Sequence, residues 1–118
     1  NEPALNGISK TISTKRQTEE YQIVNTIDVS SFSLSKILNE HVPFEQKIDF
    51  LSVDVEGLDL QVLESNDWDK YRPKVVLAEV LGASLNTIKQ DPVYKYLTNQ
   101  GYILFSKLIH TCIFKIDE

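Results

Sequence analysis

The chain has 118 residues, 42% of them apolar and 25% charged, which is the composition of one soluble globular domain. Its net charge of −5, with dispersed basic residues, argues against nucleic-acid binding, and no apolar run approaches the roughly 18 residues of a membrane span. Cys112 is the single cysteine, so we expect a buried thiol and neither a disulfide within the chain nor a zinc site. We therefore expect a cytoplasmic protein with no nucleic-acid or membrane partner.

The first residues divide into an arm and the start of the domain. Residues 1–20 are polar and lack hydrophobic periodicity, so a loop or arm is predicted there, and the α/β domain is predicted over 21–118. Tyr21 to Ile27 is rich in strand-forming residues and predicts an edge strand. A helix is predicted next, with Ser30 or Ser31 as its cap and an apolar face of Phe32, Leu34, Ile37 and Leu38. The helix is predicted to end over His41, Val42 and Pro43.

The most informative stretch is IDFLSVDVEG, which runs from Ile48 to Gly57. Its apolar residues predict a strand over about Lys47 to Val55 that is buried on both faces. Gly57 then opens a turn into a short helix whose apolar residues are Leu58, Leu60, Val62 and Leu63. A polar loop follows, and we interpret its Trp68 as an anchor in the core rather than a lid over a substrate. A second buried strand is predicted over Lys74 to Val80.

The rest of the chain predicts a helix and a hairpin. Leu81 to Gln90 is expected to connect above the carboxyl ends of both buried strands. Asp91 and Pro92 indicate the start of a helix, and two strands follow it, Tyr102 to Ser106 and Ile109 to Ile116, as an antiparallel hairpin. Strands that alternate with helices predict an α/β fold with a parallel sheet and right-handed crossovers, to which the hairpin adds an antiparallel last strand.

Carboxylates follow both buried strands: Asp54 and Glu56 after the first, Glu79 near the end of the second. Open α/β sheets bind ligands at the carboxyl ends of their strands, so these acids are expected to share one crevice. We interpret Asp54 and Glu56 as catalytic residues that hold a substrate hydroxyl or amine and accept its proton, and Glu79 and Asn86 as substrate contacts. Asp54 and Glu79 are also candidate ligands for Mg²⁺. In the alternative interpretation, Asp54 or Glu56 caps the next helix and Glu79 forms a structural ion pair.

The other ionisable residues are interpreted as structural. Asp49 begins the first buried strand and is expected at the surface of the opposite rim. Asp59 and Glu64 are assigned to the solvent side of the short helix, and His41 to the end of the first helix. His110 lies in the hairpin and is expected to be too far along the topology to join the acids. The chain has no Gly-x-Ser-x-Gly elbow, phosphate loop or histidine-rich metal spacing, so hydrolase and nucleoside-triphosphatase functions gain no support.

These residues resemble the FkbM family of S-adenosylmethionine-dependent methyltransferases. The resemblance rests on IDFLSVDVEG, the helix LDLQVLES, the strand VVLAEV and the ending GYILFSK…CIFKI, and it covers roughly Tyr21 to Ile116. It implies a Rossmann-like class I methyltransferase sheet with an antiparallel last strand. It also implies transfer of a methyl group from S-adenosylmethionine to an oxygen of a small molecule or a sugar.

The resemblance concerns the C-terminal part of the family domain. Family members hold the cofactor in a glycine-rich loop, whereas the four glycines here, at positions 7, 57, 82 and 101, are too far apart to build one. The resemblance therefore implies a substrate-side portion that is inactive alone, leaves the cofactor-binding residues unassigned, and has an exposed sheet edge suited to self-association. The absence of methionine likewise indicates a processed chain or a piece of a larger protein. The alternative is a non-catalytic α/β module that binds a partner or a second copy of itself.

Overall fold

A computed structural model describes residues 25–117 of the chain. The predicted arm, residues 1–20, lies outside the described residues. So do residues 21–24 of the predicted first strand, and residues 25–27 are not in a strand.

The described residues form three α-helices, four β-strands and one short 3₁₀ helix. In chain order these are α1 (Leu34–His41), β1 (Phe50–Val53), α2 (Asp59–Glu64), β2 (Val75–Glu79), the 3₁₀ helix (Ile88–Gln90), α3 (Pro92–Asn99), β3 (Tyr102–Lys107) and β4 (Thr111–Ile116). The three predicted helices, the two predicted parallel strands and the hairpin are confirmed, but β1 is the outermost of the four described strands and not an inner one. The first helix begins later than predicted because its cap is Ser33, whose Oγ accepts a hydrogen bond from the Lys36 amide at 3.2 Å.

The four described strands make one mixed sheet in the order β1-β2-β4-β3. β1 and β2 are parallel, with Val53 opposite Ala78, and β4 is antiparallel to both β2 and β3. The α/β class, the parallel pair and the antiparallel hairpin are thus confirmed. Because β4 lies between β2 and β3, the hairpin places its second strand inside the sheet and its first strand at the edge.

The core covers one face of this sheet. Alternate residues of the two central strands are buried there, Val76 opposite Phe114 and Ala78 opposite Cys112. Helices α2 and α3 contribute Leu63, Val93 and Leu97 to the same cluster. The predicted burial of the first strand on both faces is wrong: Phe50 is 66% exposed and Ser52 is also exposed, because the core lies on the face that carries Val53.

Trp68 joins this core as an anchor, as predicted. Its Nε1–H donates to the carbonyl oxygen of Leu63 at 2.9 Å, and its ring meets Tyr96 and Tyr102 edge-on at centroid distances of 6.3 and 5.5 Å. Cys112 is buried and free, as expected for a structural thiol. No helix in the described part of the chain is long and apolar enough to cross a membrane.

Candidate functional site

The carboxyl ends of β1 and β2 bring the predicted acids to one edge of the sheet. The two strands are parallel and in register from Phe50 opposite Val75 to Val53 opposite Ala78, so Asp54 comes level with Glu79. Asp54 is exposed, whereas Glu56 and Glu79 are half-buried. The edge where parallel strands end is where α/β sheets bind ligands. The structure therefore gathers Asp54, Glu56 and Glu79 into one acidic cluster at that edge.

A tight turn after β1 determines the position of Glu56. Its φ angle is 55° and that of Gly57 is 94°, and the turn is closed by a hydrogen bond of 3.3 Å from the Leu58 amide to the Val55 carbonyl oxygen. Glycine adopts this left-handed conformation freely, but it costs other residues roughly 1–2 kcal/mol. Glu56 is thus held in an unfavourable backbone conformation at the edge of the candidate site, a combination that is common at functional sites.

The pKa of the Glu79 carboxyl group depends on burial and on the charged residues near it. Burial raises the pKa of the Glu79 carboxyl, and the negative charges of Asp54, Asp59 and Glu56 raise it further. His110 acts in the opposite direction and lowers this pKa. The charges of these four residues thus act together on the ionisation of Glu79. The protonated form of Glu79 is therefore favoured more than that of an ordinary glutamate.

The solvent exposure predicted for Asp59 is wrong. It was assigned to the solvent side of the short helix, but only 3% of its surface is exposed. The reason is the rotation of α2 about its axis, which turns Asp59 and Leu63, four residues apart on one helix face, toward the core. Asp59 Oδ1 accepts a hydrogen bond of 3.1 Å from the amide of Glu79. Burial raises the pKa of the Asp59 carboxyl, although several backbone amides hydrogen-bond to it and oppose the shift.

The position predicted for His110, away from the acids, is also wrong. We expected it to lie too far along the topology to join the acids, but Thr111, which follows it, pairs with Glu79 across β2 and β4. The Val80 amide also donates to the His110 carbonyl oxygen at 2.8 Å. Because β4 runs antiparallel to β2, the start of β4 returns to the carboxyl end of β2. An ionisable histidine is thereby added beside the acidic cluster.

A groove adjoins the cluster. It has a volume of about 720 Å³ and lies between the connection after β2 and the β3–β4 turn, with a lining of Ala83, Ser84, Leu85, Lys107, Leu108, Ile109, His110 and Thr111. Three of these side chains, Leu85, Leu108 and Ile109, are large, apolar and exposed. Lys107 Nζ donates to the carbonyl oxygens of Leu108 and Ile109 at 3.0 and 3.2 Å, which ties its charge to the turn. The groove therefore has an apolar wall; none of the three acids lines it, and its connection to the cluster is Thr111, which pairs with Glu79.

The remaining predicted site residues lie away from the cluster. Asn86 is exposed in the connection after β2, where its amide donates to Ser84 Oγ at 3.2 Å, and it does not line the groove. Asp49 lies at the surface with Lys74 Nζ at 2.7 Å from its Oδ1, as expected for the opposite rim. Glu64 and His41 are exposed, which agrees with the structural roles predicted for them.

The described residues support neither a metal site nor a glycine-rich loop that could hold a cofactor. Residues 25–117 contain no group of three or more His, Cys, Asp or Glu side chains that could hold a metal ion, so the structure lends no support to Mg²⁺ bound by Asp54 and Glu79. The glycines with positive φ in this range, Gly57, Gly82 and Gly101, lie in three separate turns. They do not form the glycine-rich backbone cradle that would fit S-adenosylmethionine.

A comparison with protein-family models shows the family of the chain. The family model described as "Methyltransferase FkbM domain" matches residues 4–104. Searches of curated proteins and of solved structures found no match. The matched range contains β1, β2 and the acids at their carboxyl ends.

Proposed function

Because the chain belongs to the FkbM methyltransferase domain family, we propose that it provides the acceptor side of a methyl-transfer site. The transfer runs from S-adenosylmethionine to an oxygen atom of a small molecule or a sugar. The observation that carries this proposal is the cluster of Asp54, Glu56 and Glu79 at the carboxyl ends of β1 and β2.

The cluster suits the chemistry that an acceptor hydroxyl requires. Asp54 or Glu56 accepts the proton as the hydroxyl oxygen gains its new bond, and Glu79 accepts a hydrogen bond from a neighbouring hydroxyl. Asn86 is the remaining substrate contact in this proposal, at the exposed end of the connection after β2. Holding the acceptor oxygen in line with its target supplies much of the rate in such reactions. The strained backbone of Glu56 fits this role because it fixes the carboxylate at the edge of the cluster.

The cofactor supplies the methyl group as part of a sulfonium ion. The described residues do not fit its binding, so we route no step through it and assign no residue to it. In this proposal the chain is the substrate-side portion of the family domain and has little or no turnover alone.

Acceptor binding is the direct test. Amide signals of the ¹⁵N-labelled chain are recorded while methyl glycosides and small hydroxylated compounds are added. We expect shifts confined to the turn after β1, the end of β2 and the groove, and at least tenfold weaker binding in Glu56→Gln and Glu79→Gln. Shifts that persist unchanged in both variants contradict the proposal.

Turnover is tested separately. The chain is incubated with radiolabelled S-adenosylmethionine and the same compounds, and its binding of S-adenosylhomocysteine is measured by calorimetry. We expect no detectable heat and no detectable transfer. Robust turnover by the monomeric chain contradicts a substrate-side portion that is inactive alone.

A second candidate function is a non-catalytic module that associates through its sheet edge. Within residues 25–117 β1 pairs only with β2, and its Phe50 is 66% exposed, which favours contact with another strand. Sedimentation at several concentrations distinguishes the two candidates. A dimer that dissociates in Phe50→Ser and binds no hydroxylated compound supports the module, whereas a monomer that binds them supports the acceptor site.

A further inference from the structure

Asp59 is a buried ionisable residue that the proposed chemistry does not use. It is 3% exposed, and it stands at the start of α2, directly behind the turn that carries Glu56. A carboxylate is costly to bury unless hydrogen bonds replace the water it loses. At Asp59 this replacement comes from backbone amides.

The amides belong to two different segments of the chain. Oδ1 accepts the Glu79 amide at 3.1 Å, at the end of β2. The amides of Val55 and Gly57, which flank Glu56 in the turn after β1, and the amide of Asp59 itself oppose the rise in the pKa of this carboxyl group. Asp59 follows Glu56 by three residues at the start of α2 and binds the Glu79 amide, so this one residue joins the turn after β1 to the end of β2.

We propose that Asp59 is the positioning residue of the site, which fixes Glu56 and Glu79 relative to each other through their backbones. The inference rests on the proposed function, because Asp59 is buried behind the site and affects the reaction only through Glu56 and Glu79. A carboxylate suits this task because it offers two oxygens that only accept hydrogen bonds. An asparagine would turn an N–H toward amides that are themselves donors, and an apolar residue would leave those amides unpaired.

The inference is tested first on the wild-type chain by amide signals recorded against pH. The charged groups that act on the pKa of Glu79 are Asp54, Glu56, Asp59 and His110, so the signals are compared with those of single variants. We expect the amides of Val55, Gly57 and Glu79 to share one titration step above the ordinary aspartate value of 3.8. This step should persist in Asp54→Asn and vanish in Asp59→Asn. Absence of a shared step, or its persistence in Asp59→Asn, overturns the inference.

The second readout is the Glu79 carboxyl group, followed through its side-chain ¹³C signal. In folded Asp59→Asn we expect the pKa of Glu79 to fall, because one of the charges that raise it is gone and the strand end is less restrained. The matched control is Asp67→Asn, since Asp67 is an exposed aspartate whose Oδ1 also accepts two backbone amides, those of Asp69 and Lys70. It should leave the Glu79 signal unchanged. An unchanged pKa of Glu79 in folded Asp59→Asn contradicts the inference, because Asp59 would then have no effect at the end of β2. If Asp59→Asn does not fold, the wild-type titration decides the question.

Binding of methyl glycosides separates the inference from the proposed function. We expect folded Asp59→Asn to bind them at least tenfold more weakly than wild type, and Asp67→Asn to bind them as wild type does. If Glu79→Gln and Glu56→Gln bind them normally, the proposed function fails, while the titration still decides whether Asp59 holds the two segments together.

Discussion

Acids that lie close together in the sequence have very different environments in the fold. Asp54 is exposed, Glu56 has a left-handed backbone, and Asp59 is buried under the amide of Glu79. Exposure, backbone conformation and burial thus differ from one acid to the next, so the chemistry expected from each acid also differs. Two predictions belong to this scale.

The first concerns pH and Glu79. Its pKa is raised, first by burial and then by the charges of Asp54, Asp59 and Glu56, so the folded state favours the protonated form. The folded state is therefore expected to lose stability as the pH rises from the ordinary value of 4.5 through the raised pKa. We expect the melting temperature of Glu79→Gln to rise relative to that of wild type as the pH increases across this interval. Above the interval the difference should stay constant.

Thermal melts between about pH 4 and pH 8 measure this effect. Glu64→Gln, which removes an exposed acid of α2, is the control for the loss of one negative charge. A gain in Glu79→Gln that is the same at every pH, or that shrinks as the pH rises, contradicts the prediction.

The second prediction uses the two non-glycine residues with positive φ in the described range, Glu56 and Glu45, at 55° and 60°. Replacement by glycine relieves the left-handed strain but increases the freedom of the unfolded chain, so the two effects largely offset each other. We expect Glu56→Gly and Glu45→Gly each to change the free energy of unfolding by less than about 1 kcal/mol. Only Glu56→Gly should lose binding of hydroxylated compounds, as measured by amide shifts. Equal binding by both variants would mean that the Glu56 carboxylate has no part in the site.

At the scale of elements, the helix boundaries are set by local chemistry. Asp91 precedes Pro92, which occupies the first position of α3 and has no amide proton to satisfy. Asp91 Oδ1 accepts the amides of Val93 and Tyr94 at 2.8 and 3.3 Å. Since α3 packs Val93 and Leu97 into the core, its start also fixes the helix against the sheet.

We therefore expect Asp91→Ala to lower the free energy of unfolding by about 1 kcal/mol, because two amides at the start of α3 lose their partner. Urea denaturation followed by circular dichroism measures the loss. Asp91→Ser keeps an oxygen that can cap the helix and should retain most of the stability. If the alanine variant is as stable as wild type, the cap has no energetic role.

At the scale of the whole molecule, the insertion of β4 between β2 and β3 builds both the core and the site. It places Phe114 opposite Val76 at the centre of the sheet, where Phe114 is fully buried. It also returns His110 to the carboxyl end of β2, next to Glu79. Stability and the candidate site thus depend on the same strand.

We expect Phe114→Ala to lower the free energy of unfolding by about 3–5 kcal/mol, because it leaves a cavity in the middle of the core. A domain of this size has a total stability of about 5–15 kcal/mol, so the loss is a large share. Phe105→Ala is the control, since Phe105 is 67% exposed on β3, and its cost should stay below about 1 kcal/mol. Fluorescence of the single tryptophan, Trp68, which is buried in the same core, reports both unfolding transitions. Similar losses in the two variants would contradict the central place of β4.

The amino-acid sequence determined the features that depend on neighbouring residues. Hydrophobic periodicity predicted the parallel strands β1 and β2, the Asp-Pro pair predicted the start of α3, and the position of Asp54, Glu56 and Glu79 at strand ends predicted a shared edge. These signals are local because a cap, a turn or a strand pattern is set within a few residues. The motif DVEG also indicated the family to which the chain belongs.

The tertiary structure alone decided which side chains face one another. Asp59 and Leu63 share a helix face, and only the rotation of α2 against the sheet shows that this face is buried. His110 joined the cluster only because β4 pairs with β2, a choice between strand orders that the hairpin sequence leaves open. Strand order and helix orientation depend on contacts between segments far apart in the chain, so burial, charge environment and the partners of a carboxylate are fixed only when the core packs.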